Sequence, residues 1–141
     1  MRLIPGRNLA LELKERGPMP PPRAAELIIS VARALQYAHE HGVLHRDLKP
    51  ENIMLLQRPG QPDFVKVLDF GVAKVNHGHG QGGHTAVGMV VGTPQYMSPE
   101  QFHGAADVTA RGDLFSAGCV LYELLAGQRA FARESAVDTL H

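Results

Sequence analysis

The eight residues His45-Arg46-Asp47-Leu48-Lys49-Pro50-Glu51-Asn52 place a proton acceptor, a cation and a metal-binding amide in one short stretch. Asp47 can take a proton from a hydroxyl. Lys49, two positions on, can reach a phosphate. Asn52 offers an amide oxygen to a hard cation such as Mg²⁺. Pro50 has no backbone donor and stiffens the loop that carries all three.

Outward from this loop, Ile53-Met54-Leu55-Leu56 is a short apolar run, and Phe64-Val65-Lys66-Val67-Leu68 reads as a second strand. The polar residues 57–63 between them, with Pro59, Gly60 and Pro62, read as a turn. The pair predicts a small hairpin that holds residues 45–52 against the chain just after the second strand. Asp69-Phe70-Gly71 occupies that place, with Asp69 17 positions after Asn52. Asp69 supplies a second oxygen ligand for Mg²⁺, Phe70 an apolar anchor, and Gly71 freedom for the backbone to turn.

Upstream, Asn8 is an N-cap candidate for a short helix over 9–16 that Gly17 closes. The proline-rich residues 18–22 read as a rigid connector. A long helix is predicted from about Arg23 to Glu40, with Leu27, Ile28, Val31, Leu35 and Ala38 on its core face. Glu26, Arg33 and Glu40 lie on its outer face, and Gly42 ends it. His39-Glu40-His41 is not a zinc motif, because position 43 is Val. Downstream, residues 76–84 are rich in glycine and histidine and match no zinc spacing, so a flexible loop is expected. The last strong element is Asp113–Ala126, apolar on most sides. It predicts a buried helix with Asp113 as N-cap and Cys119 as a small core residue.

The bulk composition excludes several classes. The 141 residues suit about one domain. Lys+Arg and Asp+Glu both number 14, so the net charge of zero makes no electrostatic case for nucleic acid or an anionic membrane. One cysteine cannot form an internal disulfide, so a reducing, cytoplasmic setting is expected. Leu114–Leu125 is too short and too interrupted to span a bilayer, and no apolar leader follows Met1.

Residues 45–52 match the His-Arg-Asp-Leu-x-x-x-Asn catalytic loop of protein kinases. Asp69-Phe70-Gly71 and the Gly92–Gln101 stretch, with Ser98-Pro99-Glu100 in place of Ala-Pro-Glu, come in the order that family shows. Tyr96–Gln101 looks most like the bacterial branch with eukaryotic-type kinase domains, and Lys49-Pro50 is similar to the Ser/Thr-specific rather than the Tyr-specific pair. The resemblance implies an α+β, mainly α, kinase-like larger lobe (C-lobe), with the small hairpin beside the catalytic loop. It implies a partial kinase domain over 1–141, with an activation segment over 69–100 and a central helix over 113–126.

By the same resemblance, Asp47 is the catalytic base and Lys49 contacts the transferring phosphoryl group. Thr93 positions both, and Asn52 and Asp69 hold Mg²⁺ on ATP. Met54 would floor the adenine, Leu3 and Ile4 would lie on the hinge, and Asn8 near the ribose. Glu123 would face a peptide groove. Arg46 would pair with a phosphorylated Thr85, the single Ser or Thr between Gly71 and Gly92. Asp113 would hold the loop backbone, with His45, Phe70, Gly71 and Glu100 as structural members. The implied partners are ATP and a Ser/Thr-containing protein.

No glycine-rich phosphate loop and no strand lysine with a helical Glu partner occur upstream of residue 45. The expectation is therefore that the smaller lobe is absent and that residues 1–141 alone transfer phosphate weakly or not at all. Residues 128–141 carry Phe131 and the start of a further helix; the family's C-terminal helices are expected to be missing, leaving Glu100 without an Arg and the 113–126 helix partly uncovered. A non-catalytic kinase-like binding module and a degenerate fragment are the alternatives.

Overall fold

Asn8 starts the first helix as its residue type predicts. Its Oδ1 accepts from the Leu11 N–H at 2.8 Å, satisfying one of the donors that a helix leaves open at its start. In the computed structural model, which describes residues 6–70, 93–102 and 108–131, this helix is α1 (Leu9–Arg16). It follows the two-residue strand β1 (Arg7–Asn8). Gly17 ends it at φ +72.

The long helix α2 runs Pro21–Glu40, two residues earlier than expected. Pro21 and Pro22 belong to its first turn, where a missing N–H costs nothing and the fixed φ already suits a helix. Ala24, Leu27, Val31 and Leu35 are buried, while Glu26, Arg33 and Glu40 face solvent. Burying each of the three larger apolar side chains is worth about 1.5–3 kcal/mol.

The hairpin is present and longer than expected: β2 is Ile53–Arg58 and β3 is Gln61–Val67. The turn is Pro59-Gly60 alone, with Gly60 at φ +75, a value an L side chain rarely adopts. Backbone pairing carries both strands through polar residues that have no apolar alternation to reveal them. The sheet order is β1-β2-β3, all antiparallel, with Asn8 opposite Met54 and Ile53 opposite Val67. A short 3₁₀ turn, Pro50–Asn52, feeds β2. A second one, Pro94–Tyr96, and the one-turn helix α3 (Pro99–Phe102) precede α4.

Helix α4 runs Ala110–Ala126 and is capped by Thr109, whose Oγ1 accepts from the Arg111 N–H at 3.3 Å. Asp113 is therefore not the N-cap. It lies one turn inside, free to bond elsewhere. Nor is the helix buried all round. Ala117, Cys119, Val120 and Leu124 join the core with Leu27, Val31 and Leu35 of α2, whereas Leu114, Tyr122 and Leu125 are 56%, 46% and 43% exposed. Burial pushes the Cys119 thiol up to about 11, which suits a packing residue rather than a nucleophile. The far end of α4 is tied to the α1–α2 connector. Met19 N–H donates to Leu124 C=O at 2.7 Å, and a Cβ on Gly127 would lie 2.7 Å from Pro18. No helix among the described residues is long and apolar enough to cross a membrane.

A polar network fastens α1 to the rest. Glu12, 1% exposed, receives Arg23 at 2.9 Å, Arg7 at 3.0 Å and Arg16 at 3.2 Å. Arg23 also forks onto Asp63 of β3, with bonds of 2.7 and 3.0 Å. A cleft of about 460 Å³ beside this network includes no residue of the 45–52 loop in its lining. Burial alone would push the Glu12 carboxyl up, but the Arg23 and Arg7 hydrogen bonds together hold it below its ordinary value. Arg23 likewise holds Asp63 low. Both carboxylates therefore stabilise the fold above the unfolded range of about 4 and lose that contribution as pH falls through their depressed native values. Glu12→Gln is expected to cost about 1–3 kcal/mol at neutral pH, because the partly exposed arginines keep water and their other partners. It should also shrink the loss of stability below about pH 4. Urea unfolding at pH 7 and at pH 3 checks both.

Candidate active site

The His45–Asn52 loop is hung from one carboxylate of α4. Asp113, 2% exposed, accepts the His45 N–H on Oδ2 and the Arg46 N–H on Oδ1, both at 2.8 Å. Its Oδ2 also lies 2.7 Å from His39 Nε2 on α2. Two backbone donors and one imidazole thus surround a buried charge that would otherwise be costly. Arg46 sits at φ +66, a left-handed conformation that costs a non-glycine residue on the order of 1–3 kcal/mol. Its carbonyl accepts from Gln101 Nε2 at 2.9 Å, so the strained residue is gripped on both sides. Among the described residues its guanidinium forms no ion pair.

His45 links this loop to the residues around Asp69. The Asp47 N–H approaches its Nδ1 at 3.3 Å, and its Nε2 meets the Leu68 carbonyl at 2.8 Å. A carbonyl only accepts, so the ring proton is on Nε2. The His45 ring packs edge-on against Phe70 with centroids 4.8 Å apart. Leu68 N–H donates to Asn52 C=O at 2.8 Å. Asp69, exposed and at φ +60, is thereby held from both neighbours and presented outward.

The side chains of Asp47, Lys49 and Thr93 converge. Lys49 Nζ lies 3.0 Å from Asp47 Oδ2 and 3.2 Å from Thr93 Oγ1. Asn52 Nδ2 donates to the Asp47 carbonyl at 2.8 Å. That bond uses the amide nitrogen and leaves Oδ1 without a protein partner among the described residues. A narrow cleft is lined by Arg46, Asp47, Leu48, Thr93, Tyr96, Met97 and Ser116. Tyr96, 3% exposed, donates its hydroxyl to Glu123 Oε2 at 2.5 Å, and Ser116 Oγ donates to the Tyr96 carbonyl at 2.7 Å. Burial, reinforced by the Glu123 carboxylate, pushes the Tyr96 hydroxyl well above its ordinary value.

Met54 is half-buried and pairs across the sheet with Asn8, whose side-chain oxygen is taken by the α1 cap. Glu100 forms no ion pair among the described residues. Leu3, Ile4, Gly71 and Thr85, with the glycine- and histidine-rich run 76–84, lie outside the described residues. Two members of the site are not evident from sequence. His39 falls four positions after Leu35, on the stripe that faces α4, but its neighbours in the chain raise only the question of zinc. Gln101 ends a recognised motif yet carries no spacing signal of its own.

Asp113→Ala leaves two buried backbone donors and His39 without an acceptor. It should cost about 2–4 kcal/mol in urea unfolding. His39→Ala, which leaves both backbone bonds intact, should cost less. Sequence comparison agrees with this geometry. The model of the protein kinase domain matches residues 1–141. The serine/threonine-protein kinase pkn3 of Myxococcus xanthus is 45% identical over 138 residues, 97% of this chain and 25% of that protein. PknB of Mycobacterium tuberculosis is 41% identical over 141 residues, 100% of this chain and 22% of that protein. A probable serine/threonine-protein kinase of Corynebacterium efficiens, CE0033, is 44% identical over 135 residues, 96% and 20% respectively. The chain thus spans a fifth to a quarter of the length of these relatives. With the loop, its buried anchor and the match over residues 1–141, the chain belongs to the protein kinase domain family.

Proposed function

We propose that residues 1–141 are the larger-lobe part of a serine/threonine protein kinase, which transfers the γ-phosphoryl group of ATP to a protein hydroxyl. The observation that carries this reading is the convergence of Lys49 Nζ on Asp47 Oδ2 at 3.0 Å and on Thr93 Oγ1 at 3.2 Å, with Asn52 bonded to the Asp47 carbonyl. Asp47 orients the incoming Ser or Thr hydroxyl and accepts its proton as the oxygen attacks the γ-phosphorus. The bond from phosphorus to the β–γ bridging oxygen breaks, and ADP leaves. Lys49 moves from Asp47 toward the charge on the transferring group, and Thr93 keeps it in range.

Asn52 Oδ1 and the exposed Asp69 carboxylate are hard oxygen donors without other protein partners among the described residues, the donor type that Mg²⁺ takes. Two protein ligands suit an ion that keeps waters and phosphate oxygens in its shell. Mg²⁺ held there by Asn52 and Asp69 would neutralise phosphate charge. Leu3, Ile4, Asn8 and Met54 are the proposed contacts for adenine and ribose, Arg46 and Thr85 a regulatory pair, and Glu123 a contact for the peptide. The single Cys119 fits a reducing cytoplasm.

Transfer of labelled phosphate from ATP to casein, followed by phosphoamino-acid analysis, tests this in the protein expressed with all residues its gene encodes around 1–141. Phosphoserine or phosphothreonine is expected, and Asp47→Asn should lower the rate about 100- to 10,000-fold. Residues 1–141 by themselves should transfer little, since the sequence before residue 45 holds no strand lysine with a helical Glu partner to align the phosphates. Transfer that survives Asp47→Asn, or that marks tyrosine alone, would overturn the reading.

A further inference from the structure

Gln101 is a buried amide to which the phosphoryl-transfer chemistry gives no part. It is 9% exposed, and both ends of its amide are used. Oε1 accepts the Ser98 N–H and the Ser98 hydroxyl, each at 3.1 Å. Nε2 donates to the Arg46 carbonyl at 2.9 Å, 55 positions earlier in the chain. Helix α4 leaves room for this clasp. A Cβ on Gly112 would stand 3.2 Å from Ser98 Oγ and 3.5 Å from Gln101 Oε1.

The Arg46 carbonyl belongs to the peptide group that joins Arg46 to Asp47. Asp113 holds the N–H side of Arg46, and Gln101 holds the C=O side. The conformation at φ +66 is therefore set from two directions, one of them the 93–101 segment. A second tie between loop and segment, Lys49 to Thr93, is made by side chains that water reaches and that catalysis would rearrange. A side-chain amide of this length presents an acceptor and a donor at the two ends of one rigid plane. A carboxylate would offer a second acceptor to the Arg46 carbonyl, and an apolar isostere would offer neither bond.

We infer that Gln101 is a positioning residue that couples the placement of segment 93–101 to the peptide plane carrying Asp47. When the segment moves, the backbone of the base moves with it. The catalytic meaning of this coupling rests on the reading of Asp47 as base, but the coupling itself does not.

Amide hydrogen exchange of the 141-residue chain, followed residue by residue, tests the coupling without any phosphoryl transfer. In Gln101→Met, the amides of 45–47 and of Ser98 should exchange about tenfold faster or more, while those of Val31–Leu35 in α2 stay within about twofold of the unsubstituted chain. In Gln101→Glu, which keeps both acceptor contacts to Ser98, protection at Ser98 should persist and protection at 45–47 should fall. Unchanged protection at 45–47 in Gln101→Met overturns the inference. So does uniform acceleration that includes α2, since that reports lost stability alone. Should Gln101→Met fail to fold, Gln101→Glu decides: loss at 45–47 with retention at Ser98 supports the coupling, and loss of both or of neither overturns it. A chain with normal exchange behaviour and no kinase activity in any form would sink the proposed function and leave this result standing.

Discussion

One buried carboxylate organises the half of the molecule that carries the candidate site. Asp113 lies in a helix whose other buried residues are uncharged, and its charge is tolerated because the His45 and Arg46 backbone N–H groups and His39 Nε2 all point at it. A charge in that position needs several good hydrogen bonds at once, and meeting that need defines where the loop must run. The left-handed Arg46 then turns the next peptide group away from that carboxylate, and its carbonyl accepts from Gln101 Nε2. The loop thus owes its shape to a partner 67 and 68 positions away.

From that anchor, order passes outward through His45. Its ring holds the Leu68 carbonyl and packs on Phe70, so Asp69 takes its place from the loop that carries Asp47. Asn52 adds a second strut through its own carbonyl and a third through Nδ2 to Asp47. The two proposed Mg²⁺ ligands and the proposed base are therefore parts of one hydrogen-bonded unit. Positioning of this kind matters most for a reaction in which the protein contributes geometry and charge rather than covalent chemistry.

Away from the site, the Glu12–Arg23–Asp63 network joins α1, α2 and β3 with charges instead of side-chain volume. Ion pairs of this sort add little net stability compared with apolar packing, but their directionality specifies which surfaces meet. Here they set α1 against the sheet whose β1–β2 pair brings Asn8 opposite Met54. The uncovered side of α4, with Leu114, Tyr122 and Leu125 exposed, shows the converse: an apolar helix whose sequence signals burial on most sides and whose described neighbours supply it on only one.

Sequence by itself determined the local elements and the chemistry of the loop. Asn8 and Gly17 bound α1, the Leu27-Val31-Leu35 spacing set the inner face of α2, and residues 45–52 with Asp69 named the proposed reactive groups, because caps, periodicity and functional groups are properties of neighbouring residues. Strand ends at 57–63 were not legible, since main-chain pairing there has no side-chain pattern. The start of α4 was not legible because Asp113 is as good an N-cap residue as Thr109, and only the fold puts the Arg111 N–H on Thr109 Oγ1. Tertiary structure alone decided that Asp113 is an anchor rather than a cap, that His39 joins it, and that Gln101 bridges Ser98 to Arg46. Each of these bonds closes between residues far apart in the chain, and only the packing of α2, α4 and the hairpin brings their atoms within hydrogen-bonding distance.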